Sequence, residues 1–261
     1  MWAKFVGFLA VAFGFAVTQA ALAAPVVVPN SWAGFYIGGN GGYGWGSAND
    51  AMTLGGSWLV GGGNISDSQA LTPLGNGQLK PDGFTGGVQA GYNYQTGQWV
   101  FGVEADANYF GMKDSFSRSI INPATAASYA FSSSFESSWL VTVRPRIGYA
   151  MDRLLLYATG GLAIAHQKFS QTITQLNTVF TQAGSVSDTT VGWTVGVGAE
   201  YALGNHWSVK AEYLYVDPGS VSFSSSGVGA CGAPACSTYT GVHSAHLKAN
   251  MVRVGFNYNF N

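Results

Sequence analysis

Apolar residues alternate with polar residues or glycine along the last eleven residues of the chain, 251–261. Successive side chains of a strand point to opposite faces, so this pattern predicts a strand with one fully apolar face. That face carries Val252, Val254, Phe256, Tyr258 and Phe260, and the other carries Arg253, Gly255, Asn257 and Asn259. Such a strand fits the edge of a soluble sandwich, or the wall of a membrane barrel with lipid outside and water inside.

The same alternation recurs in five of the seven earlier segments that we predict as strands. The predicted strands are 32–46, 83–95, 99–110, 139–149, 154–167, 193–201, 207–215 and 251–261. Residues 154–167 are apolar almost throughout, so the pattern does not tell which face of this strand points inward. The last strand is expected to close against the first.

Short and long connections alternate between these strands. Tight turns are predicted at 96–98, 151–153 and 204–206, and long loops rich in Ser, Gly, Asn and Thr at 47–82, 111–137, 168–188 and 217–245. Strands of ~9–11 residues joined in this way are typical of outer-membrane barrels. The sequence therefore predicts an all-β fold: an eight-stranded antiparallel up-and-down transmembrane β-barrel with four long extracellular loops and three short periplasmic turns.

Composition agrees with an outer surface that faces hydrocarbon. Charged residues make up 9% of the chain, against roughly 25% in typical soluble domains. Aromatic residues make up 14%. The formal net charge of −1 offers no basic surface for nucleic acid, so we expect no such partner.

The N-terminus has the pattern of a secretory signal peptide. Lys4 is positive, residues 5–17 are apolar, and Ala21-Leu22-Ala23 offers a small-x-small cleavage site. The alternative is a retained membrane anchor, but the apolar run is short for a spanning helix of ~20 residues. We expect residues 1–23 to be removed, 24–31 to form a short leader, and 32–261 to form the barrel domain.

Three segments carry a resemblance to a known family. They are Trp-Ala-Gly-Phe-Tyr-Ile-Gly-Gly-Asn-Gly-Gly-Tyr-Gly-Trp-Gly at 32–46, Tyr-Ala-Thr-Gly-Gly-Leu-Ala at 157–163, and Val-Arg-Val-Gly-Phe-Asn-Tyr-Asn-Phe at 252–260. Together they resemble the small outer-membrane surface antigens of alphaproteobacteria, the opacity-like or porin family. The resemblance implies an eight-stranded OmpA-like barrel in the cell outer membrane. Members are mostly abundant envelope proteins, and some are credited with porin-like or haem-binding roles.

The family also implies that the C-terminal strand is recognised by the outer-membrane insertion machinery. The residues of this insertion signal would be Phe256, Tyr258 and Phe260. Members usually end on the aromatic residue itself, whereas here Asn261 follows it.

Charged residues in the polar phase of the strands are expected to point into the lumen. They are four acids and four bases: Glu104, Asp106, Glu200, Glu212, Arg144, Arg146, Lys210 and Arg253. Buried charges require partners, so equal numbers favour an ion-pair network that fills the narrow lumen of an eight-stranded barrel. A selective narrow pore is the alternative, and an acid–base pair of an enzyme is a more distant one.

Aromatic residues in the apolar phase fall near the strand ends. Those near the tight turns are Trp99, Tyr149, Tyr201, Trp207 and Tyr258, and those near the long loops are Tyr109, Trp139, Trp193 and Tyr215. Two such groups are typical of aromatic girdles at the two membrane interfaces, so outer-membrane lipid is an expected partner. The core of a soluble sandwich is the alternative interpretation.

Cysteines and histidines give few signals of chemistry. Cys231 and Cys236 are predicted to form a disulfide, the default for two nearby cysteines of an exported protein. His243 and His246 are candidate metal or haem ligands close to them. His166 and Ser170 could belong to a lipid hydrolase, but no acid of matching phase completes that set. We therefore predict no catalytic, cofactor-binding or metal site.

The sequence thus predicts a structural protein that anchors four mobile, uncharged surface loops for an unidentified surface partner. A narrow porin-like channel for small solutes is the main alternative. A lipid-modifying enzyme and a soluble periplasmic binding module follow at a distance.

Overall fold

The computed structural model describes residues 31–59, 67–122, 126–176, 180–232 and 235–260. The predicted signal peptide, nearly all of the predicted leader and Asn261 lie outside these ranges. No helix among the described residues is long and apolar enough to span a membrane.

Almost every described residue belongs to a strand. The strands are β1 (Gly34–Gly56), β2 (Gly77–Leu79), β3 (Asp82–Thr96), β4 (Trp99–Ile121), β5 (Ser128–Met151), β6 (Leu154–Gln175), β7 (Thr181–Gly204), β8 (Trp207–Gly232) and β9 (Ala235–Asn259). A single 3-10 turn (Ser57–Leu59) and helix α1 (Asp67–Gly75) lie between β1 and β2.

The long strands close into a ring. From β3 onward each strand pairs with the next in antiparallel fashion, and β1 pairs with both β3 and β9. The three-residue β2 adds to β1 beyond the end of β3, so eight strands form the wall. The eight-stranded antiparallel barrel is confirmed, and its last strand closes against its first from Tyr36↔Asn259 onward.

One end of the barrel, here called the turn end, carries the three tight turns at the predicted positions. Their residues include Gly97, Asp152, Gly204, Asn205 and His206, all with positive φ. Glycine, Asn and Asp adopt this left-handed region most readily, which is the reason these residues predict turns.

The predicted extents of the long connections are wrong, because the strands continue far beyond their expected ends. Most of 111–137, 168–188 and 217–245, and residues 47–56, are strand. Alternation continues in these segments with inverted polarity. Phe131 and Phe135 of β5 point inward and are buried. Ser132 and Ser134, which lie between them in the sequence, point outward. A strand whose outward residues are serines has the composition of a loop. A search for strands with an apolar outer face therefore misses it.

Far from the turn end, the hydrogen-bonded ladder of the ring is interrupted at two places. Pairing between β7 and β8 ends at Trp193↔Asp217, and pairing between β3 and β4 ends at Asp82↔Lys113. Beyond these levels β4, β5, β6 and β7 form one sheet, and β2, β1, β9 and β8 form the other. We call this part the head: residues 46–81, 111–138, 167–192 and 218–249, as far as they are described. Inward apolar side chains from both hydrogen-bonded sheets fill its interior.

Candidate functional site

An apolar plug closes the lumen at the turn end. It consists of Trp32, Val100, Ala150, Leu155, Tyr157 and Ala202. Trp32 was predicted to begin the first strand, but it precedes β1 and lies in the mouth of the barrel. Its indole Nε1 donates to the carbonyl oxygen of Asp152 at 3.3 Å, which ties the segment before β1 to the turn between β5 and β6.

All eight predicted lumen charges lie together next to this plug. They are Glu104, Asp106, Arg144, Arg146, Glu200, Lys210, Glu212 and Arg253, with exposed fractions of 0 to 4%. Most come in pairs two residues apart on one strand, so the period of two directs both members inward. Cross-strand register then brings opposite charges face to face, as in Glu104↔Arg144 and Glu212↔Arg253.

The charges form one connected network. Arg144 contacts Glu104 at 2.7 Å, Asp106 at 2.9 Å and Glu212 at 3.2 Å. Arg253 contacts Glu212 at 2.6 Å and Asp106 at 3.1 Å. The remaining bases extend it: Lys210 contacts Glu104 at 2.8 Å, and Arg146 contacts Glu200 at 3.2 Å. The mutual attraction of equal numbers of buried acids and bases offsets the cost of removing these charges from water.

Two tyrosines missing from the predicted network hold its members in place. Tyr36 Oη donates to Glu104 at 2.8 Å, and Tyr157 Oη donates to Glu212 at 3.0 Å. The Arg146 guanidinium lies 4.6 Å from the Tyr36 ring centroid and 5.2 Å from that of Tyr157. Tyr36 alternates with outward Phe35, so the period of two could have identified it. Tyr157 lies on the strand whose inward face the sequence did not settle.

An apolar layer follows the charges towards the head. Its buried side chains include Phe110, Met112, Phe135, Leu140, Phe169, Leu214, Val216, Leu247 and Met251. They come from both sheets of the head and from the wall below it. This layer separates the charged network from the interior of the head.

A second polar layer crosses the interior of the head. Ser133 Oγ donates to Asp50 Oδ2 at 2.8 Å, and Gln171 Nε2 donates to the same oxygen at 2.9 Å. Gln171 Oε1 is hydrogen-bonded to His243 Nδ1, and His243 Nε2 lies 2.7 Å from Ser225 Oγ. The layer therefore links β1, β5, β6, β8 and β9 across the gap between the two sheets.

This chain of hydrogen bonds continues to the top of the head. Gln182 Nε2 donates to Ser225 Oγ at 2.9 Å, and Trp58 Nε1 donates to Gln182 Oε1 at 2.8 Å. Trp58 in turn packs against Tyr129 and Tyr239, with ring centroids 5.8 and 4.7 Å away. An aromatic cap thus covers the polar layer.

Burial shifts the pKa of both ionisable groups in this layer. Desolvation raises the pKa of Asp50 to about 6, although the hydrogen bond from Ser133 opposes the shift. Desolvation lowers the pKa of His243 to about 4, because the charged imidazolium would lose its water. At neutral pH the imidazole is therefore neutral.

Predicted girdle residues lie on the outer face of the wall. At the turn end Trp99 packs on Tyr149 and Trp207 on Tyr258, with ring centroids 5.4 and 5.3 Å apart. The other residue of this group, Tyr201, is exposed on β7. Beside the head, Trp193 packs on Tyr215 at 5.4 Å, and Tyr109 is the register partner of Trp139.

The two groups of predicted girdle residues are separated along the wall by about one membrane thickness. Trp99 and Tyr109 are ten residues apart on β4, which is about 34 Å along a strand or about 25 Å across the bilayer when tilted. Apolar side chains such as Val197 and Val254 fill the outer face between them. This band has the height that lipid requires.

The residues of the predicted insertion signal also face outward. Phe256 and Phe260 are exposed, and the rings of Tyr258 and Phe260 are 5.3 Å apart. Phe260 donates its backbone N–H to Phe35 at 2.9 Å, which keeps the chain end against β1.

Histidines do not assemble the sites considered for them. His166 lies outside the barrel, stacked on Trp139, and its Nε2 is 3.1 Å from Ser187 rather than from Ser170. Ser170 instead pairs with the Ser134 hydroxyl at 2.7 Å. Among the described residues, no carboxylate is hydrogen-bonded to the His166 ring, so an acid–His–Ser set is incomplete.

His243 and His246 point to opposite faces of β9. Both ring nitrogens of His243 are hydrogen-bonded inside the head. His246 Nε2 contacts Asp217 at 3.1 Å on the outer side. The two cannot bind one haem iron together, and within the described ranges no group of His, Cys, Asp and Glu has the arrangement of a metal site.

The predicted disulfide stays a prediction. The backbones of Cys231 and Cys236 are register partners near the tip of the β8–β9 hairpin. Their side chains lie outside the described part of the structure.

Comparison with known proteins gives a consistent result. The family model of the outer membrane protein beta-barrel domain matches residues 8–260. The 31 kDa outer-membrane immunogenic protein of Brucella melitensis is 34% identical, over 88% of this chain and 84% of its own length. The 22 kDa outer membrane protein of Rhizobium leguminosarum is 33% identical, over 74% of this chain and 68% of its own.

Among solved structures, the outer membrane protein OprG of Pseudomonas aeruginosa covers 87% of this chain and 97% of its own. Its sequence identity is 11% and its TM-score 0.42, a similarity too weak to support an inference. The curated relatives and the family model locate the protein in the cell outer membrane. The chain belongs to the outer membrane protein beta-barrel domain family.

Proposed function

We propose that this protein is a structural surface protein of the envelope, in which the barrel anchors a folded head at the cell surface. The observation that carries the proposal is the change of polarity along single strands. On β5, Val143 and Ile147 face lipid around inward arginines, whereas Ser132 and Ser134 face water around inward phenylalanines. One set of strands thus supplies both a membrane anchor and a water-soluble display surface.

The filled lumen favours an anchor over a channel. The apolar plug, the charge network, the apolar layer and the polar layer occupy successive levels of the described interior. Arg144 and Lys210 are 0 and 1% exposed, so water has almost no access to the charges. A conducting pore would need these side chains to separate and remain hydrated.

The relatives' names fit a surface role. The word "immunogenic" in the name of the Brucella proteins describes proteins that the immune system recognises, and a surface-exposed head would be accessible to it.

We also propose that the protein has no catalytic activity, and that its partners are outer-membrane lipid, the insertion machinery through Phe256, Tyr258 and Phe260, and a surface molecule at the head.

Planar-bilayer recording tests the structural role against the channel. We expect purified, refolded protein to give no steady conductance across independent preparations. As a positive control, removing charges from the network with Arg144→Ala and Arg253→Ala together should make the lumen leakier if the protein still folds. A reproducible conductance of the unaltered protein, abolished by blocking the lumen from one side, would refute the proposal.

Labelling of intact cells tests the position of the head. An amine reagent that does not cross membranes should modify Lys113, Lys168 and Lys248, which are exposed on the head, and leave buried Lys210 untouched. Mass spectrometry reads out the modified lysines. Protection of all three head lysines on intact cells would contradict surface exposure.

A further inference from the structure

A groove of about 1040 Å³ crosses the outer face of the wall. It passes over β8, β9, β1, β3, β4 and β5 in that order, from Trp207 to Val141. Five strand spacings make it about 24 Å long. Most side chains that line it, such as those of Ile37 and Phe256, belong to the outward phase of their strands. The groove is therefore a feature of the lipid-facing wall and not of the lumen.

Small outward residues form the floor of this groove. They are Gly39 and Gly41 on β1, Ala90 on β3, and Ala105 and Ala107 on β4. The register places them side by side on three neighbouring strands, as in Ala90↔Ala105. The floor is thus mostly backbone and methyl groups.

Two aromatic pairs stand at the sides of the floor. Phe35 of β1 packs on Tyr92 of β3 with ring centroids 4.7 Å apart, and Tyr43 packs on Phe84 with centroids 5.4 Å apart. The small outward residues of β1 and β3 lie between these pairs. The rings stand above the bare floor, so the surface between them is concave.

Packing inside the protein does not require the outward glycines. At the inward positions Gly38 and Gly42 an added Cβ would collide with backbone oxygens of β9. At Gly41 an added Cβ would meet nothing within 4 Å, and at Gly39 its nearest neighbour would be 3.6 Å away. Glycine weakens a strand, because it loses more backbone entropy than other residues. The structural effect of the two outward glycines is therefore on the outer surface, where they deepen the groove.

One end of the groove has polar groups. Trp207 and Tyr258 line it at the turn end, with ring centroids 5.3 Å apart. In the described part of the chain, neither the indole N–H of Trp207 nor the hydroxyl of Tyr258 has a hydrogen-bond partner. Both groups are available to a lipid head group at the membrane interface. The other end stops at Val141, one outward position short of Trp139, so a head group fits only at the turn end.

The dimensions of the groove suit one acyl chain. Each leaflet of a bilayer contributes about 15 Å to the hydrocarbon core, so one chain can lie within the groove along its whole length. A second copy of this chain would need about 800 Å² of interface on each partner. The groove is about 10 Å wide and offers only about 240 Å². Close packing against bare backbone is the interaction that holds a ligand in lipid, where no hydrophobic force distinguishes protein from acyl chains.

We propose that this groove binds one acyl chain of a phospholipid, with the head group against Trp207 and Tyr258. No charged side chain lines that end among the described residues, which favours a zwitterionic head group such as phosphatidylethanolamine. The inference rests on the proposed surface role only for the leaflet, because a head at the cell surface puts the turn end in the periplasmic, phospholipid leaflet. Lipid binding in micelles does not depend on orientation, so the two proposals fail separately.

Native mass spectrometry tests this site. The refolded protein in detergent micelles is titrated with palmitoyl-oleoyl-phosphatidylethanolamine, and the lipids bound to each chain are counted. We expect saturation at one lipid. Diphytanoyl-phosphatidylethanolamine has the same head group, but its methyl branches hold the acyl chain away from the bare backbone. It should bind at least about threefold more weakly, because small gaps forfeit much of the dispersion attraction.

Three variants locate the binding. Gly41→Leu and Ala107→Leu each place a side chain in the groove without entering the lumen, and each should weaken binding about tenfold. Ala158→Leu is the matched control, because Ala158 is also exposed on the outer face but lies on β6, outside the groove. Its affinity should equal that of the unaltered protein. Heat-modifiable gel migration verifies that each variant is folded.

Other results would overturn the proposal. Binding without saturation, or equal binding by Gly41→Leu, Ala107→Leu and Ala158→Leu, would mean that the groove holds only bulk lipid. Protein extracted from outer membranes in mild detergent should carry phospholipid, and lipopolysaccharide displaced by Ala107→Leu would assign the site to the other leaflet. Dimers that Ala107→Leu dissociates would show that the occupant is a second copy of this chain.

Discussion

The membrane half of the barrel and its head are built from the same strands and differ in which face is apolar. In the membrane half the outer face is Val, Ile and aromatic residues, and the interior holds charges. In the head the outer face is mostly Ser and Thr, and the interior holds Phe169, Ile173 and Leu54. Lipid requires an apolar outer surface, whereas water requires a polar one. The surrounding solvent therefore decides the polarity of each face, and the strand geometry stays the same.

The interiors of the two halves are also stabilised by different interactions. Polar interiors depend on complete compensation, because an unpaired buried charge is expensive. Apolar interiors depend on packing, and the head adds a mostly uncharged polar layer between its apolar clusters. The predictions below act on these differences.

Arg144→Met should produce the largest effect. It removes one of the two arginines that contact the Glu104, Asp106 and Glu212 carboxylates and leaves three acids to Arg253 and Lys210. Breaking a buried pair in this way costs about 3–5 kcal/mol. Urea unfolding followed by tryptophan fluorescence measures the loss. Lys248→Met, which removes an exposed cation from the head, is the control and should change the free energy of unfolding by less than about 0.5 kcal/mol. Similar losses in both variants would show that the network is not compensated as described.

A lysine placed on the outer face should give the second-largest loss of stability, and only in the membrane half. Val197 lies outward on β7, midway between the girdle residues Trp193 and Tyr201, and its replacement by lysine should cost about 2–4 kcal/mol. Ser132→Lys in the head meets water and should be nearly neutral. The same unfolding measurement in lipid vesicles compares the two. A neutral Val197→Lys would mean that this level of the wall is not in lipid.

The polar layer of the head should show opposing pH effects. The pKa of Asp50 is raised to about 6, so the folded head binds this proton more tightly, and its stability falls as pH rises from about 4 to 6. The pKa of His243 is lowered to about 4, so stability falls as pH drops from 6.5 to about 4. In the unaltered protein the two effects partly cancel.

Single variants separate these two effects. In Asp50→Asn only the effect of His243 remains, so the head should lose stability on acidification. In His243→Gln only the effect of Asp50 remains, so the head should gain stability on acidification. Hydrogen exchange of β9 amides between pH 4 and 7, corrected for the intrinsic exchange rate, measures both. Equal slopes of the same sign in the two variants would contradict the assignment.

Several features followed from the sequence because they depend only on alternation and local turn chemistry. The eight strands, the three tight turns, the outward phase of the strand aromatics and the inward phase of the charged residues follow from a period of two and from residues such as Gly97 and Asn205. Tyr36 had the same signal and was missed only because its ring is aromatic, and so resembles the lipid-facing residues beside it.

Tertiary structure decided the rest. The sequence determined that strands alternate between two kinds of face, but it did not determine which face is inside, because that depends on whether lipid or water surrounds each level. The segments 111–137 and 217–245 therefore became strands of a head only through packing of their inward phenylalanines against the opposite sheet. The partners of Arg253 and the hydrogen-bond chain from Asp50 to Trp58 likewise arise from residues far apart in the chain. Closure of the ring brings them together, and no local pattern encodes that closure.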